Sequence, residues 1–233
     1  MDEKQKFETI PQLLELRPPL DKNIIIFPHA GSLGKSYLSI LPYLPNEYGV
    51  ISVDYPELPI TQENTFSDLA LFYAQSLQKY FSKNVVFIGI SLGGYLAYKI
   101  AQFYYCKTGI APSKTILISV QDPQTVLSFV KSPKLNLSSL VDFPPEIDEK
   151  LKEEIVFRVK KDIFYMRSFE INKSLIIPSD LYVFNGTGDN NFSANLTVQF
   201  WGKMTTRDFF YSAFEGKHLP LLDQWAKILD ACF

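Results

Sequence analysis

The apolar positions of this chain fall into short continuous runs separated by longer stretches with a helical beat. Asn23-Ile24-Ile25-Ile26-Phe27 is closed by Pro28, and Val50-Ile51-Ser52-Val53 by Asp54 and Tyr55-Pro56. Val85-Val86-Phe87-Ile88 ends at Gly89, Ile116-Leu117-Ile118 continues to Val120, Leu181-Tyr182-Val183-Phe184 ends at Asn185-Gly186, and Phe209-Phe210-Tyr211 leads to Gly216. Runs this short, apolar throughout and bounded by turn residues, predict strands buried on both faces. Between them, Phe66, Leu69, Ala70, Tyr73, Leu77 and Tyr80 form one stripe at helical spacing, and Tyr95, Tyr98 and Ala101-Gln102-Phe103 another. Strand and helix therefore alternate, which requires crossover connections and predicts an α/β fold: a mostly parallel sheet flanked by helices on both faces. In such a sheet the chemistry belongs on the loops that follow the strands.

One interval breaks the rhythm. Roughly sixty residues separate the strand ending near Val120 from the one starting near Leu181, far more than a crossover needs. Phe143-Pro144-Pro145 makes a stop within it, and Ile147, Leu151, Ile155, Val159, Ile163 and Met166 then recur at helical spacing as far as Phe169. The interval from about residue 126 to 172 reads as an amphipathic helical insert, placed to act as a lid over the sheet's C-terminal edge.

With 233 residues and 46% hydrophobic content the chain can bury one sizeable core, and residues 1–233 read as a single domain. Twenty-three basic residues against twenty-five acidic ones, with no basic block, argue against nucleic acid as a partner. Met1-Asp2-Glu3-Lys4-Gln5-Lys6 is charged where a secretory signal would turn apolar, and no apolar run approaches membrane-spanning length, so a cytoplasmic location is expected. Cys106 and Cys232 have no metal-ligand spacing; one is expected buried and the other simply near a terminus.

The candidate chemistry begins at Gly89-Ile90-Ser91-Leu92-Gly93, a G-x-S-x-G pattern set between an apolar strand and Gly94-Tyr95-Leu96-Ala97-Tyr98, the start of a helix. A strand-to-helix elbow lifts the Ser91 hydroxyl clear of the sheet. Small residues at positions 89 and 93 let the neighbouring strand and helix approach, and the Leu92 N–H can face a developing oxyanion. A serine needs a base, and the chain has two histidines. His29 precedes the elbow, while His218, in Glu215-Gly216-Lys217-His218, follows the last strand. The order nucleophile, acid, histidine of the α/β-hydrolase arrangement selects His218.

Two aspartates stand at strand ends between them. Asp189 follows the turn Asn185-Gly186-Thr187-Gly188, and Asp122 follows Val120 and precedes Pro123. The glycine turn favours Asp189 as the acid, with Asp122 the open alternative. Phe27-Pro28-His29-Ala30-Gly31 occupies the loop after the first run, where such enzymes supply the second oxyanion donor; Ala30 N–H is the candidate, and His29 is expected to pack the loop. No metal or organic cofactor is needed for this chemistry.

These four segments, Phe27-Pro28-His29-Ala30-Gly31, Gly89-Ile90-Ser91-Leu92-Gly93-Gly94, Gly186-Thr187-Gly188-Asp189 and Gly216-Lys217-His218, together resemble the type II, stand-alone thioesterases of polyketide and non-ribosomal peptide pathways. Val159-Lys160-Lys161-Asp162-Ile163 is similar to the lid-helix stretch that in that family reads leucine, arginine, alanine, aspartate. The resemblance implies an α/β-hydrolase with a helical lid that removes acyl or aminoacyl groups from the phosphopantetheine arm of acyl or peptidyl carrier proteins. The chain departs from the family in three places. Ile90 and Leu92 stand where histidine and methionine are usual, Tyr55-Pro56-Glu57-Leu58-Pro59 stands where tyrosine, proline, glycine, arginine is typical, and Asp122 sits where synthase-fused thioesterases often keep their acid. At this level a small-molecule carboxylesterase or lipase, and a catalytically silent hydrolase fold used for binding, remain the rival functions.

Overall fold

The computed structural model describes residues 12–55, 65–82, 84–133, 135, 147–189 and 193–233. Within them lies a seven-strand sheet made of β1 (Gln12–Arg17), β2 (Asn23–Phe27), β3 (Gly49–Asp54), β4 (Val86–Ile90), β5 (Lys114–Ile118), β6 (Asp180–Gly186) and β7 (Phe209–Phe214). The spatial order is β1-β3-β2-β4-β5-β6-β7. All pairings are parallel except that of β1 with β3. The six expected runs all form strands. β1 is additional: it is a half-exposed edge strand, and a register shift between Glu15 and Arg17 breaks the alternation that would have marked it. Its Arg17 guanidinium donates to the carbonyls of Pro45 (2.6 Å), Tyr48 (3.0 Å) and Leu41 (3.0 Å), tying that edge to a 3₁₀ segment over Gly34–Tyr43.

The helices among the described residues are α1 (Phe66–Ser76), α2 (Leu92–Thr108), α3 (Pro123–Val130), α4 (Glu149–Met166), α5 (Ala194–Trp201) and α6 (Leu222–Asp230). α1 starts at a reciprocal cap between Thr65 and Asp68. Its apolar stripe outlasts the helix, with Leu77 and Tyr80 carried on a 3₁₀ turn. α2 ends at Gly109, whose φ of 71° is the left-handed conformation that stops a helix. Successive strand residues point to opposite faces, so the sheet divides the core in two. Ile25, Phe27, Ile51, Val53, Phe87 and Leu117 pack beneath α1, α2 and Trp201 of α5. Ile24, Ile26, Val50, Val86, Ile88 and Ile116 face Tyr37 and Ile40 of the 3₁₀ segment and Trp225, Ile228 and Leu229 of α6.

Chain direction away from β2 reverses at the centre: β3 lies on one side of it and β4 on the other, both parallel to it. Crevices at the C-terminal ends of strands flanking such a switch point are where open α/β sheets bind ligands. The loops after β2 and β4 meet there, the former carrying His29 and Ala30, the latter Ser91.

The long interval between β5 and β6 contains α3 and α4; Phe143-Pro144-Pro145 lies outside the described residues. α4 departs from the expected apolar stripe. Leu151 is 46% exposed and Phe157 65% exposed, whereas Lys161 and Asp162 are buried at 4% each. Val159, Asp162, Ile163 and Met166 share one face at the i, i+3, i+4, i+7 spacing, so a carboxylate occupies a core-facing position. The cysteine expectation is reversed in part: Cys232 is both terminal and buried, and Cys106 is exposed.

Candidate active site

Ser91 is the residue between β4 and α2, with φ 52° and ψ −119°, a strained conformation for a residue with a Cβ, of the kind that costs roughly 1–3 kcal/mol. The glycines around it explain how the elbow closes. A Cβ on Gly93 would lie 2.0 Å from the Phe27 carbonyl oxygen, and one on Gly89 would lie 2.5 Å from the Gly94 Cα. The start of α2 is thus pressed against the end of β2, which brings the elbow and the His29–Ala30 loop together. Ser91 N–H donates to the Ile118 carbonyl at 2.8 Å, fixing the elbow to β5.

The histidine and the acid arrive on adjoining strands. β6 ends in the turn to Asp189 and β7 leads to His218, and the two loops touch backbone to backbone. Gly188 N–H donates to the Gly216 carbonyl at 2.7 Å and Thr187 N–H to the Phe214 carbonyl at 2.9 Å. A Cβ on Gly186 would lie 1.8 Å from the Lys217 carbonyl oxygen, so only glycine permits this approach.

The structure brings Ser91, His218 and Asp189 into one chain of hydrogen bonds. His218 Nδ1 is 2.7 Å from Asp189 Oδ2, and His218 Nε2 is 2.9 Å from Ser91 Oγ. An ionised carboxylate only accepts, so it holds the proton on Nδ1 and leaves Nε2 free to accept from the serine hydroxyl. The Asp189 side chain is 8% exposed and the His218 side chain 44%, a buried carboxylate behind an imidazole that faces solvent.

Asp122 is placed elsewhere: it caps α3, its Oδ1 accepting from Gln124 N–H (3.1 Å) and Thr125 N–H (3.0 Å). Ala30 and Leu92 lie at the two loops that converge on Ser91, and neither backbone N–H has an acceptor among the described residues.

His29 belongs to this neighbourhood but faces another way. Its Nδ1 lies 2.6 Å from the Tyr37 hydroxyl, and Tyr37 in turn packs edge-on against Trp225. Burial pushes the His29 pKa down to about 4, with the charge of His218 a smaller contribution in the same direction, so the ring is neutral at pH 7. Tyr55 Oη donates to the Pro28 carbonyl at 2.5 Å and steadies the same loop.

Two further residues touch the constellation. Ser119, at the end of β5, is buried with φ 58°; its N–H donates to the Phe184 carbonyl at 2.7 Å and its hydroxyl to the carbonyl of His218. Nothing in its local sequence marks it. Asp162 of α4, the aspartate of the Val159-Lys160-Lys161-Asp162-Ile163 stretch, accepts from Gly31 N–H at 2.7 Å, a partner that the sequence did not indicate. The loop segment Pro56-Glu57-Leu58-Pro59 lies outside the described residues.

Comparison with known proteins gives the constellation a context. A family model described as "Thioesterase domain" matches residues 22–233. No protein in the curated set of sequences matches. Among solved structures, the chain is similar to the type II thioesterase BorB from the borrelidin biosynthetic cluster, with TM-score 0.76, 17% identity, and coverage of 94% of this chain and 95% of that one. It is also similar to the RedJ thioesterase from the prodiginine pathway of Streptomyces coelicolor, with TM-score 0.72, 16% identity, and coverage of 91% and 84%. A third is ClbQ from the colibactin NRPS/PKS pathway, with TM-score 0.73, 16% identity, and coverage of 90% and 94%. At such identities the likenesses establish a shared α/β-hydrolase fold.

Proposed function

The chain belongs to the thioesterase domain family, and from that premise we propose that it hydrolyses acyl or aminoacyl thioesters carried on the phosphopantetheine arm of an acyl or peptidyl carrier protein. The observation that carries the mechanism is the hydrogen-bond chain Ser91–His218–Asp189. His218 Nε2 takes the Ser91 proton as Oγ attacks the thioester carbonyl. Asp189 keeps the imidazole in the required tautomer and offsets the imidazolium charge. Ala30 N–H and Leu92 N–H receive the oxyanion, the latter at the positive end of α2. Collapse of the tetrahedral intermediate expels the thiolate, to which His218 returns the proton, and a water activated by the same histidine then releases the acid from Ser91.

The carrier-bound substrate is supported by the three neighbours, whose own descriptions place them in the borrelidin biosynthetic cluster, the prodiginine biosynthetic pathway and the colibactin NRPS/PKS pathway. The residues flanking the site suit an apolar acyl group, since Leu33 follows the Ala30 loop and Leu219 and Leu221 follow His218, all exposed. The insert over about residues 126–172 is assigned the role of lid, and a cytoplasmic site of action fits a carrier-bound substrate. No described helix is long and apolar enough to cross a membrane.

The test compares acyl-loaded carrier protein and acyl-pantetheine thioesters with the matched oxygen esters, thiol or alcohol release being followed for each. Preferred turnover of the carrier thioester is expected, abolished by Ser91→Ala. Preference for oxygen esters would favour a carboxylesterase, and failure of a fluorophosphonate to label Ser91 in the folded protein would favour a silent binding module.

A further inference from the structure

α4 does not merely overhang the site; it is fastened to the loop that carries Ala30. Two separate contacts make the joint. Gly31 N–H donates to Asp162 Oδ2 at 2.7 Å. On the other side of the same residue, a Cβ added to Gly31 would lie 2.4 Å from Val159 Cγ2 and 3.6 Å from the Ile155 carbonyl oxygen, so one face of α4 is packed onto the Gly31 backbone. Gly31 has φ 79°, which sets the turn that aims the preceding residues toward Ser91.

Burying Asp162 on this face is costly. Its carboxyl is 4% exposed, and burial pushes its pKa up to about 6 against the opposing effects of the Gly31 N–H, Lys161 and Arg158. The carboxylate has two partners there: Oδ2 accepts from Gly31 N–H, and Oδ1 stands 3.8 Å from Nζ of the buried Lys161, so an apolar residue would leave both without it.

We propose that Asp162 is a positioning residue for the oxyanion hole: by holding Gly31 N–H it fixes the Ala30–Gly31 turn, so that Ala30 N–H is aimed at the reacting carbonyl only while α4 is seated. The inference rests on the reading of Ala30 as an oxyanion donor. It implies that seating the insert and completing the catalytic site are one event, and a substrate that lifts α4 away from the loop disarms the hole.

The groups that face Asp162 are Lys161 and Arg158 on α4 itself, Asp54 at the end of β3, Tyr55 just after it, Tyr73 on α1 and Tyr165 on α4. Burial holds the tyrosines neutral and raises both carboxyls, Asp54 and Asp162, the latter to about 6; of the two, it is Asp162 that meets the Gly31 N–H.

The test uses the full chain and three readouts. Asp162→Ala should lower kcat about 30-fold, less than the roughly 10²–10³ lost when an oxyanion donor is removed outright, with KM within about twofold. It should weaken an alkyl boronate, whose tetrahedral adduct on Ser91 needs the oxyanion donors, by a similar factor, and leave the affinity for the carboxylic acid product unchanged. Asp162→Asn keeps a carbonyl acceptor for Gly31 N–H and should recover kcat to within about threefold of wild type.

Should Asp162→Ala fail to fold, wild-type protein decides by NMR. The Gly31 amide proton should move downfield as pH rises through about 6, and that step should vanish in Asp162→Asn. A folded Asp162→Ala enzyme with wild-type kcat and boronate affinity, or a Gly31 amide blind to this pH range, would overturn the inference. Retained hydrolysis in Ser91→Ala would instead overturn the proposed function, so the two failures are distinguishable.

Discussion

Replacing Asp189 by Asn tests the site at its buried end with the least disturbance to shape. The carboxylate lies 2.7 Å from His218 Nδ1 with its side chain 8% exposed, so two things are lost together. The first is charge. When His218 takes the Ser91 proton, the imidazolium and carboxylate centres stand about 4 Å apart, worth about 4 kcal/mol at an effective dielectric of 20. The 44% exposure of the His218 side chain lets water screen part of this, leaving about 2–3 kcal/mol, or about two decades in rate. The second is the tautomer. An amide NH₂ can donate to Nδ1, which moves the ring proton to Nε2, where it faces Ser91 Oγ and can no longer accept.

The combined expectation is a loss of roughly 10³-fold in kcat/KM, with a melting temperature within about 3 °C of wild type because the exchange is isosteric. The assay is thiol release from an acyl-N-acetylcysteamine thioester, with fluorophosphonate labelling of Ser91 slowed in parallel. A folded Asp189→Asn enzyme that loses less than about tenfold would mean that another group orients His218, and the reasoning from this geometry would be wrong.

Other substitutions report on the surrounding joints. Asp122→Ala removes the cap of α3 and should cost about 1 kcal/mol of stability in urea unfolding, while kcat stays within about twofold; a catalytic collapse would return Asp122 to the mechanism. Gly93→Ala drives a Cβ to 2.0 Å from the Phe27 carbonyl oxygen, and since the obstacle is backbone, the elbow and the Ala30 loop must separate. Activity should fall by more than about 10²-fold, and near-normal turnover would refute the tight apposition.

Stability against pH carries two opposed slopes. The His29 pKa is lowered to about 4, so as pH falls from about 6.5 toward 4 the unfolded chain binds a proton the folded one refuses and stability is lost. The Asp162 pKa is raised to about 6, so from about 6 down to about 3.9 the folded chain binds first and stability is gained. Asp162→Asn should therefore steepen the acid-side loss by up to about 1.4 kcal/mol per pH unit, and His29→Gln should flatten it. Identical pH dependence of the two variants in urea unfolding at pH 4.5 and 6.5 would refute both assignments.

What the sequence made legible, and what it hid, divides along a physical line. The six parallel strands and the Ser91 elbow are marked locally: each strand is an unbroken apolar run because both of its faces are covered, and the elbow needs its glycines within a few residues of the serine. β1 was hidden because an edge strand covered on one side, with a shifted register at Glu15 to Arg17, leaves no clean period.

The choice between Asp122 and Asp189 could not be made from order alone, since both stand at strand ends. What chain order lacks is the packing across 29 residues, where Gly186 and Gly188 admit the Gly216–Lys217 backbone and the Asp189 carboxylate comes within 2.7 Å of His218. Ser119 was invisible for the same reason, because its hydroxyl meets His218 across 99 residues of chain. Asp162 is the intermediate case. The resemblance to the lid-helix stretch marked the aspartate, while its partner, Gly31, lies 131 residues away. A local stretch can thus mark a residue, while the loop it meets is set by the fold. Here that loop is the one that carries Ala30, beside the Ser91 elbow.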